Sequence, residues 1–401
     1  MKPEANKNIL LVSYHAFRED PFRPSALHRF FKEQISQDNA LAYSLVCSDW
    51  DHLTKTRHDF SGDPAIKTIR VPGYFKNLSV NRVISHMVFS LKLLFSTALW
   101  RGDVFFVCVP PSLPALVVAL VATLKRKPFV FDVVDLWPEA LPAGDAQKKL
   151  FMTIIGGPWV FLRNCLYGRA SMLLTHCKYF IEKIGAQNSL RLSYVPLSQG
   201  NLQMFLLESN RPKLASEIRI LVLGSINNVI DIESLVSLLA SLRSNDKTSS
   251  CRKVILEIIG DGESKTALLQ QVLREADFVQ VLDHGKVFDS KIKGEVLSRC
   301  HFGYNGYRNT TAIGVTYKAV DFATAGVVFL NCVQGDLTDL ITEYGAGFNF
   351  TKGLESELAE RVLSLSDEAF LGMSRGSRKM ALNLFHPERF EKSLTAILEK
   401  V

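Results

Sequence analysis

Two stretches of the chain put ionisable side chains where chemistry is done. The run Phe131-Asp132-Val133-Val134-Asp135-Leu136-Trp137-Pro138-Glu139 reads as a buried strand that ends in acid, aromatic, proline and acid. Carboxylates at a strand end, here Asp135 and Glu139, can hold sugar hydroxyls or accept a proton. The plainer alternative is that Asp135 caps the next helix and Trp137 packs. In the second stretch, Val315-Thr316-Tyr317 opens a helix, and Lys318 and Arg308 stand beside it. Backbone N–H groups at a helix start, joined by a cation, bind a diphosphate. Asp321, one turn on, suits a ribose diol; alternatively it forms an exposed pair with Lys318 at i,i+3 spacing.

Smaller signals lie in other loops that follow strands. Gly260-Asp261-Gly262 and Gly224-Ser225 follow apolar runs. Glycines there permit tight turns, but the full G-x-G-x-x-G is absent, which argues against a dinucleotide enzyme. His15, Arg18 and Arg23 follow the first strand, where the arginines suit a phosphate clamp or an acceptor contact. Asp49-Trp50-Asp51 resembles an acidic metal motif, but no further oxygen ligands accompany it, so no metal is expected.

The elements that must position these residues alternate. Short β-branched runs (Ile9–Ser13, Leu41–Cys47, Ile66–Val71, Val104–Val109, Phe129–Val134) are separated by helical patterns, including a long one near Ser79–Trp100. The alternation starts afresh at Arg219–Leu223 and continues through Val254–Ile259, Val279–Leu282, Phe302–Tyr304 and Val327–Leu330. Strand–helix alternation implies parallel sheets with crossover helices. Two such units in series imply two Rossmann-like domains, 1–197 and 198–385, facing a cleft, with ligands beyond the carboxyl ends of the strands. The polar segment Ser198–Glu217 reads as the linker.

Length supports the same division, because 401 residues exceed one core at about 100–200 residues per domain. The net charge of +7 is uneven: residues 1–200 hold 24 Lys+Arg against 15 Asp+Glu (+9), and the remainder 23 against 25 (−2). A basic half attracts phosphates or an anionic leaflet. The seven cysteines form no C-x-x-C pair, which fits thiols in a reducing compartment. No signal-peptide pattern opens the sequence and no apolar run reaches spanning length.

The order of these motifs resembles bacterial family 4 glycosyltransferases of the GT-B fold, particularly the N-acetylfucosamine-type transferases of surface-polysaccharide assembly. The likeness is carried by Asp135-Leu136-Trp137-Pro138-Glu139, Tyr194-Val195-Pro196-Leu197, Gly260-Asp261-Gly262-Glu263, Lys318 to Gly326, and Phe385-His386-Pro387-Glu388-Arg389-Phe390. The resemblance implies a UDP-sugar donor, no required cofactor, and a lipid-linked glycan acceptor in lipopolysaccharide, capsule or exopolysaccharide synthesis. It implies that Gly224, Ser225, Gly260, Asp261, Gly262, Val315, Thr316, Lys318 and Asp321 bind the donor. Asp135, Glu139, Lys318 and Arg308 would serve catalysis, and His15, Arg18, Arg23 and Trp137 the acceptor. It also implies a terminal helix, 386–401, returning to the first domain. The chain departs from the pattern at Ile313, where an acid is usual, at Val134, and in the uncharged loop from Gly224 to Ile230. Those departures raise two alternatives: a non-catalytic relative that binds a membrane or partner, and a nucleotide-sugar epimerase.

Residues 78–100 suggest a membrane contact. Val83, Met87, Leu91, Leu94 and Phe95 form an apolar stripe opposite Arg82, His86, Ser90, Lys92 and Ser96. Such a helix suits an interface, with its stripe in lipid and its basic residues at the headgroups; the alternative is a surface helix packed on the sheet. The expected location is cytoplasmic, peripheral on the inner membrane face, with no nucleic-acid partner.

Overall fold

The structure is a computed structural model. It describes all residues except 1–6, 16–22, 38–40, 53, 59, 61, 77–78, 139–155, 185–190, 247–251 and 309–313. The chain divides into two compact units, whose described parts run through Pro196 with a return at Phe390–Val401, and from Leu197 to Arg389.

The first unit contains β1 (Lys7–Ser13), α1 (Arg23–Gln37), β2 (Leu41–Ser48), β3 (Ile66–Ile69), α2 (Val80–Leu94), α3 (Thr97–Arg101) and β4 (Val104–Val109). It continues through α4 (Ser112–Lys125), β5 (Phe129–Val133), α5 (Gly157–Tyr167), β6 (Met172–Thr175), α6 (Lys178–Ile184) and β7 (Leu192–Tyr194). Its seven strands lie in the order β3-β2-β1-β4-β5-β6-β7, all parallel. Sheets covered on both faces read as continuous apolar strands, and β4 (VFFVCV) is buried at every position.

The second unit holds β8 (Glu217–Leu223), α7 (Ile232–Asn245), β9 (Lys253–Ile259), α8 (Lys265–Glu275), β10 (Gln280–Asp283), α9 (Ser290–Arg299) and β11 (Phe302–Asn305). After these come α10 (Tyr317–Ala325), β12 (Val328–Asn331), α11 (Asp336–Tyr344), β13 (Gly347–Asn349), α12 (Glu355–Leu363) and α13 (Asp367–Leu384). The strand order is β10-β9-β8-β11-β12-β13, again parallel. A last helix, α14 (Pro387–Leu398), places Phe390, Leu394 and Ile397 in the core of the first unit, with Leu11, Leu27, Phe31 and Phe106.

Three local expectations need correction. The segment expected as a linker is structured. Met204 is buried, Asn210 N–H donates to Ser298 O (3.0 Å), and the Arg211 guanidinium donates to Cys300 O (2.5 Å), just past the end of α9, and to Ala325 O (2.8 Å), the last carbonyl of α10. A cation at helix C-termini satisfies carbonyls that lack a partner of their own.

The long helix is interrupted between α2 and α3, where the Trp100 indole N–H takes the freed Leu94 carbonyl (2.7 Å). Lastly, the apolar stripe of α2 is exposed as the interfacial reading requires, but part of its polar face is turned inward. Arg82 and His86 are 8% and 6% exposed, whereas Met87, Leu91 and Phe95 are 56%, 60% and 76% exposed. Arg82 and His86 therefore do not face outward toward headgroups. The physical reason is a polar anchor beneath the helix: Ser85 Oγ lies 2.7 Å from the Tyr14 hydroxyl and donates to Pro72 O (2.6 Å). Among the described residues, no helix is long and apolar enough to cross a membrane.

Candidate functional site

At the C-terminal edge of the second sheet, the loops after β8, β9 and β11 are joined backbone to backbone. Gly224 N–H donates to Ile259 O (2.8 Å), Ile226 N–H to Asp261 O (3.0 Å) and Arg308 N–H to Val229 O (2.9 Å). Gly224 has φ 104°, a region open to glycine. A Cβ on Gly260 would lie 1.9 Å from the Gly224 carbonyl oxygen, and one on Gly262 would lie 2.3 Å from that of Ile226. Close loop packing therefore already accounts for both glycines of the Gly-x-Gly turn.

Helix α10 starts at this edge. The Thr316 hydroxyl caps it by accepting from Ala319 N–H (3.3 Å), and Val315 before it is buried. Lys318 sits in the first turn, 8% exposed, with its ammonium 4.1 Å from the centre of the Tyr307 ring. It has no carboxylate partner among the described residues. Burial pushes its amine down to about 7, because desolvation disfavours the charged form.

The other expected cation and acid are engaged elsewhere. Asp321 does not pair with Lys318. Its carboxylate accepts from Lys293 of α9 (3.1 and 3.3 Å) and from Gln199 Nε2 (3.0 Å). Arg308 makes an exposed pair with Glu233 (3.4 Å). Asp261 accepts from Gly262 N–H (2.9 Å) and faces Lys286 (3.5 Å), while Ser225 is exposed. Asp231 caps α7 through Ser234 N–H (3.2 Å) and pairs with Lys352 (3.2 Å).

At the C-terminal edge of the first sheet, β1 delivers Tyr14 and His15, the loop after β2 delivers Trp50 and His52, and β5 delivers Asp135 and Trp137. Asp135 and Trp137 are half-buried, and Asp135 accepts from Leu136 N–H (3.0 Å). Arg82 of α2 lies over both the Trp137 ring (4.7 Å) and the Tyr74 ring (5.7 Å). The Trp137 carbonyl takes Arg163 Nη1 (2.8 Å). His15 packs 5.3 Å from His52 and 5.5 Å from Tyr14, and His86 lies 4.3 Å from Tyr14. Burial, then the neighbouring Arg82 charge, lowers His15 to about 4 and His86 to about 3. Asp49 and Asp51 are engaged within the chain, Asp49 by Arg57 and Val71 N–H (2.9 Å), and Asp51 by His58 (3.2 Å).

Arg18, Glu139 and Ile313 lie outside the described residues; Arg23 opens α1, but its side chain is not described. Sequence reasoning overlooked Arg82, His86, His52 and Tyr74 as site neighbours. The available signal was the spacing of Arg82, Ser85 and His86 on one face of an otherwise apolar helix.

No protein-family model matches the sequence, and no curated protein matches it. Solved structures do. The Anabaena protein HepE in complex with UDP and glucose aligns at a TM-score of 0.64 and 14% identity, over 98% of this chain and 100% of that one. Sucrose-phosphate synthase from Thermosynechococcus elongatus aligns at 0.68 and 13% identity, over 98% of each chain. The lipopolysaccharide outer core galactosyltransferase WaaB aligns at 0.60 and 15% identity, over 98% and 100%. With its seven- and six-stranded parallel sheets and these neighbours, the chain has the GT-B fold.

Proposed function

We propose that the chain is a glycosyltransferase that moves a sugar from a UDP-sugar, of hexose or N-acetylhexosamine type, to a lipid-linked or saccharide acceptor in cell-surface polysaccharide assembly. The observation that carries this reading is Lys318. A buried amine at a helix N-terminus, with no carboxylate partner among the described residues, is poised for an incoming anion. In a transferase that anion is the donor diphosphate, and the cation stabilises it as a leaving group. The uridine assignment is supported by the neighbour solved with UDP and with UDP-glucose. Asp135 and Trp137 would position the acceptor, with Glu139 beside them in sequence.

The test is thermal stabilisation by a panel of UDP-, GDP- and dTDP-sugars. A ligand at about 100 times Kd adds about 2.7 kcal/mol to the unit it binds. The expected result is a clear shift with uridine nucleotides; no shift with any member removes the donor reading.

One observation favours a second reading, a non-catalytic relative. Asp321 and Arg308 are already engaged by Lys293, Gln199 and Glu233. A ribose diol would have to displace Gln199 or Lys293 from Asp321. Retained UDP binding without sugar transfer, and without donor hydrolysis, would select that reading.

The acceptor's lipid would be met at a membrane through α2. Val83, Met87 and Leu91 are exposed on it, joined by Phe95, Trp100 of α3, and Leu120 and Leu124 of the adjoining α4. Arg101 and Lys125 close the last turns of α3 and α4. Apolar side chains beside basic ones suit an anionic interface. The double substitution Met87→Glu and Leu91→Glu should cut co-sedimentation with vesicles of anionic phospholipid about tenfold or more, with no change in UDP binding. Undiminished sedimentation would place the contact elsewhere.

A further inference from the structure

A cavity of about 190 Å³ opens in the second unit, at the C-terminal ends of β12 and β13 and beside α12. Its floor is saturated. The Asn331 amide donates to Asn349 Oδ1 (2.8 Å) and accepts from Asn305 Nδ2 (2.8 Å), and Asn349 donates to Thr338 O (3.0 Å). The side chains above that floor are open: those of Gln334, Thr351 and Glu357 make no hydrogen bond or ion pair among the described residues. Glu357 and Arg361 stand at i,i+4 on α12, an order that ordinarily pairs. No ion pair joins them, and the Arg361 guanidinium lies instead over the Phe348 ring (4.6 Å). Leu354 and Leu358, on the same helix face, give the cavity an apolar wall. Helix α11 starts between two lining residues, Gln334 and Thr338, and no side chain caps it. Its positive end therefore adds to Arg361. The volume exceeds the roughly 150 Å³ that houses a benzene ring, so one six-membered ring with its substituents fits. An apolar wall with a few placed polar groups is how a small-molecule site is built. Here the guanidinium suits a carboxylate, gripped by two parallel N–H bonds. The free amide, hydroxyl and carboxylate suit hydroxyl groups.

We propose that this cavity is a second saccharide site, which takes a monosaccharide bearing a carboxylate. Arg361 holds the carboxylate, Gln334, Thr351 and Glu357 take the hydroxyls, and Leu354 and Leu358 pack against the ring. The site is distinct from the proposed donor site and does not depend on sugar transfer. Cys332, which lines the cavity, donates its thiol to Tyr307 O (3.8 Å), and the Tyr307 ring carries the Lys318 ammonium. The two sites thus adjoin, but none of the residues proposed to bind the donor lines the cavity.

The experiment titrates sodium glucuronate into the full chain, with and without saturating UDP, and follows saturation transfer by NMR. Glucuronate should bind in both conditions, and glucose, which lacks the carboxylate, should bind about tenfold more weakly or worse. Arg361→Met, which keeps a stem over Phe348, should weaken glucuronate about tenfold, and Arg361→Lys, which keeps the charge without the fork, should fall between. Glu357→Gln should bind as the wild type does, because glutamine still accepts from a hydroxyl. All three variants should keep the wild-type melting temperature, since both side chains are exposed. Absence of glucuronate binding, equal binding of glucose, or an undiminished Arg361→Met overturns the proposal. A tenfold loss in Glu357→Gln overturns the ligand class, because a ligand ammonium and not a hydroxyl would then be meeting Glu357. Displacement of glucuronate by UDP also overturns it, by making the cavity part of the donor site. If glucuronate binds and UDP does not, the saccharide site stands and the transferase reading fails by itself.

Discussion

Replacing Lys318 with Met should make the protein more stable and, at the same time, a worse binder of UDP. Burial lowers the Lys318 amine from its ordinary 10.5 to about 7. At about 1.36 kcal/mol per pKa unit, keeping that cation inside costs the folded state up to about 4 kcal/mol near neutrality. Methionine retains the unbranched stem without the charge. Each kcal/mol recovered should raise the melting temperature of a unit of this size by about 2–4 °C.

The sign with pH is fixed. Below about 7 the amine is protonated in both the folded and unfolded chain, and the wild type carries the full cost. Between about 7 and 10.5 the unfolded chain binds the extra proton, so wild-type stability rises with pH. The advantage of the Lys318→Met variant is therefore largest at and below neutrality and shrinks as pH rises. Donor binding runs the other way. A diphosphate wants the ammonium form, so wild-type UDP affinity should fall as pH rises through about 7. The variant should bind roughly tenfold more weakly, as for loss of one charge-assisted hydrogen bond, and should lack this pH dependence. Calorimetry and UDP titration at pH 6, 7 and 8.5 check both halves. Wild-type UDP affinity in the variant would remove Lys318 from the donor site.

Replacing Glu257 with Ala should be among the most destabilising single changes in the second unit. This β9 carboxylate is fully buried and accepts from Arg219 Nη1 of β8 (2.6 Å), from Arg299 of α9 (2.9 and 3.0 Å) and from His284 (2.6 Å). Removing it leaves the neighbouring guanidinium groups partly buried, with Arg219 retaining Glu217 as its carboxylate partner among the described residues. Breaking a buried charge pair from one side typically costs about 3–5 kcal/mol. Burial alone would raise the Glu257 carboxyl, but the hydrogen bonds from Arg299, His284 and Arg219 hold it below the usual value of 4.5. Its contribution is thus present above pH 4.5 and is lost as pH falls through the lowered value. Denaturant unfolding at pH 7 and pH 4 should show the variant much weaker at the first and closer to wild type at the second. Equal stability at pH 7 would mean that the network contributes no net free energy.

The sheets were legible in the sequence because parallel strands covered on both faces are written as uninterrupted apolar runs. Residues 9–13, 104–109 and 254–259 all read that way, and all became strands. The burial of Arg82 and His86 on α2 was not legible. Hydrophobic periodicity gives the axis of a stripe but not which side meets the protein, and here a hydroxyl pair, Tyr14 with Ser85, set the polar side inward. The partners of Asp321 were hidden for a related reason: the alternative reading, an i,i+3 pair with Lys318, lost to Lys293 and Gln199, which lie 28 and 122 residues away. The glycines of the Gly-x-Gly turn were visible, but their need to approach the loop after β8 appears only when the two loops are seen together.

The return of α14 to the first unit has a consequence for how the chain comes off the ribosome. Phe390, Leu394 and Ile397 fill a core whose other walls, Leu11, Leu27, Phe31 and Phe106, were synthesised hundreds of residues earlier. Nascent chains usually complete their domains from the N-terminus onward. Here that order is reversed: the leading unit must wait, with an apolar seam open to chaperones, while the trailing one is completed first.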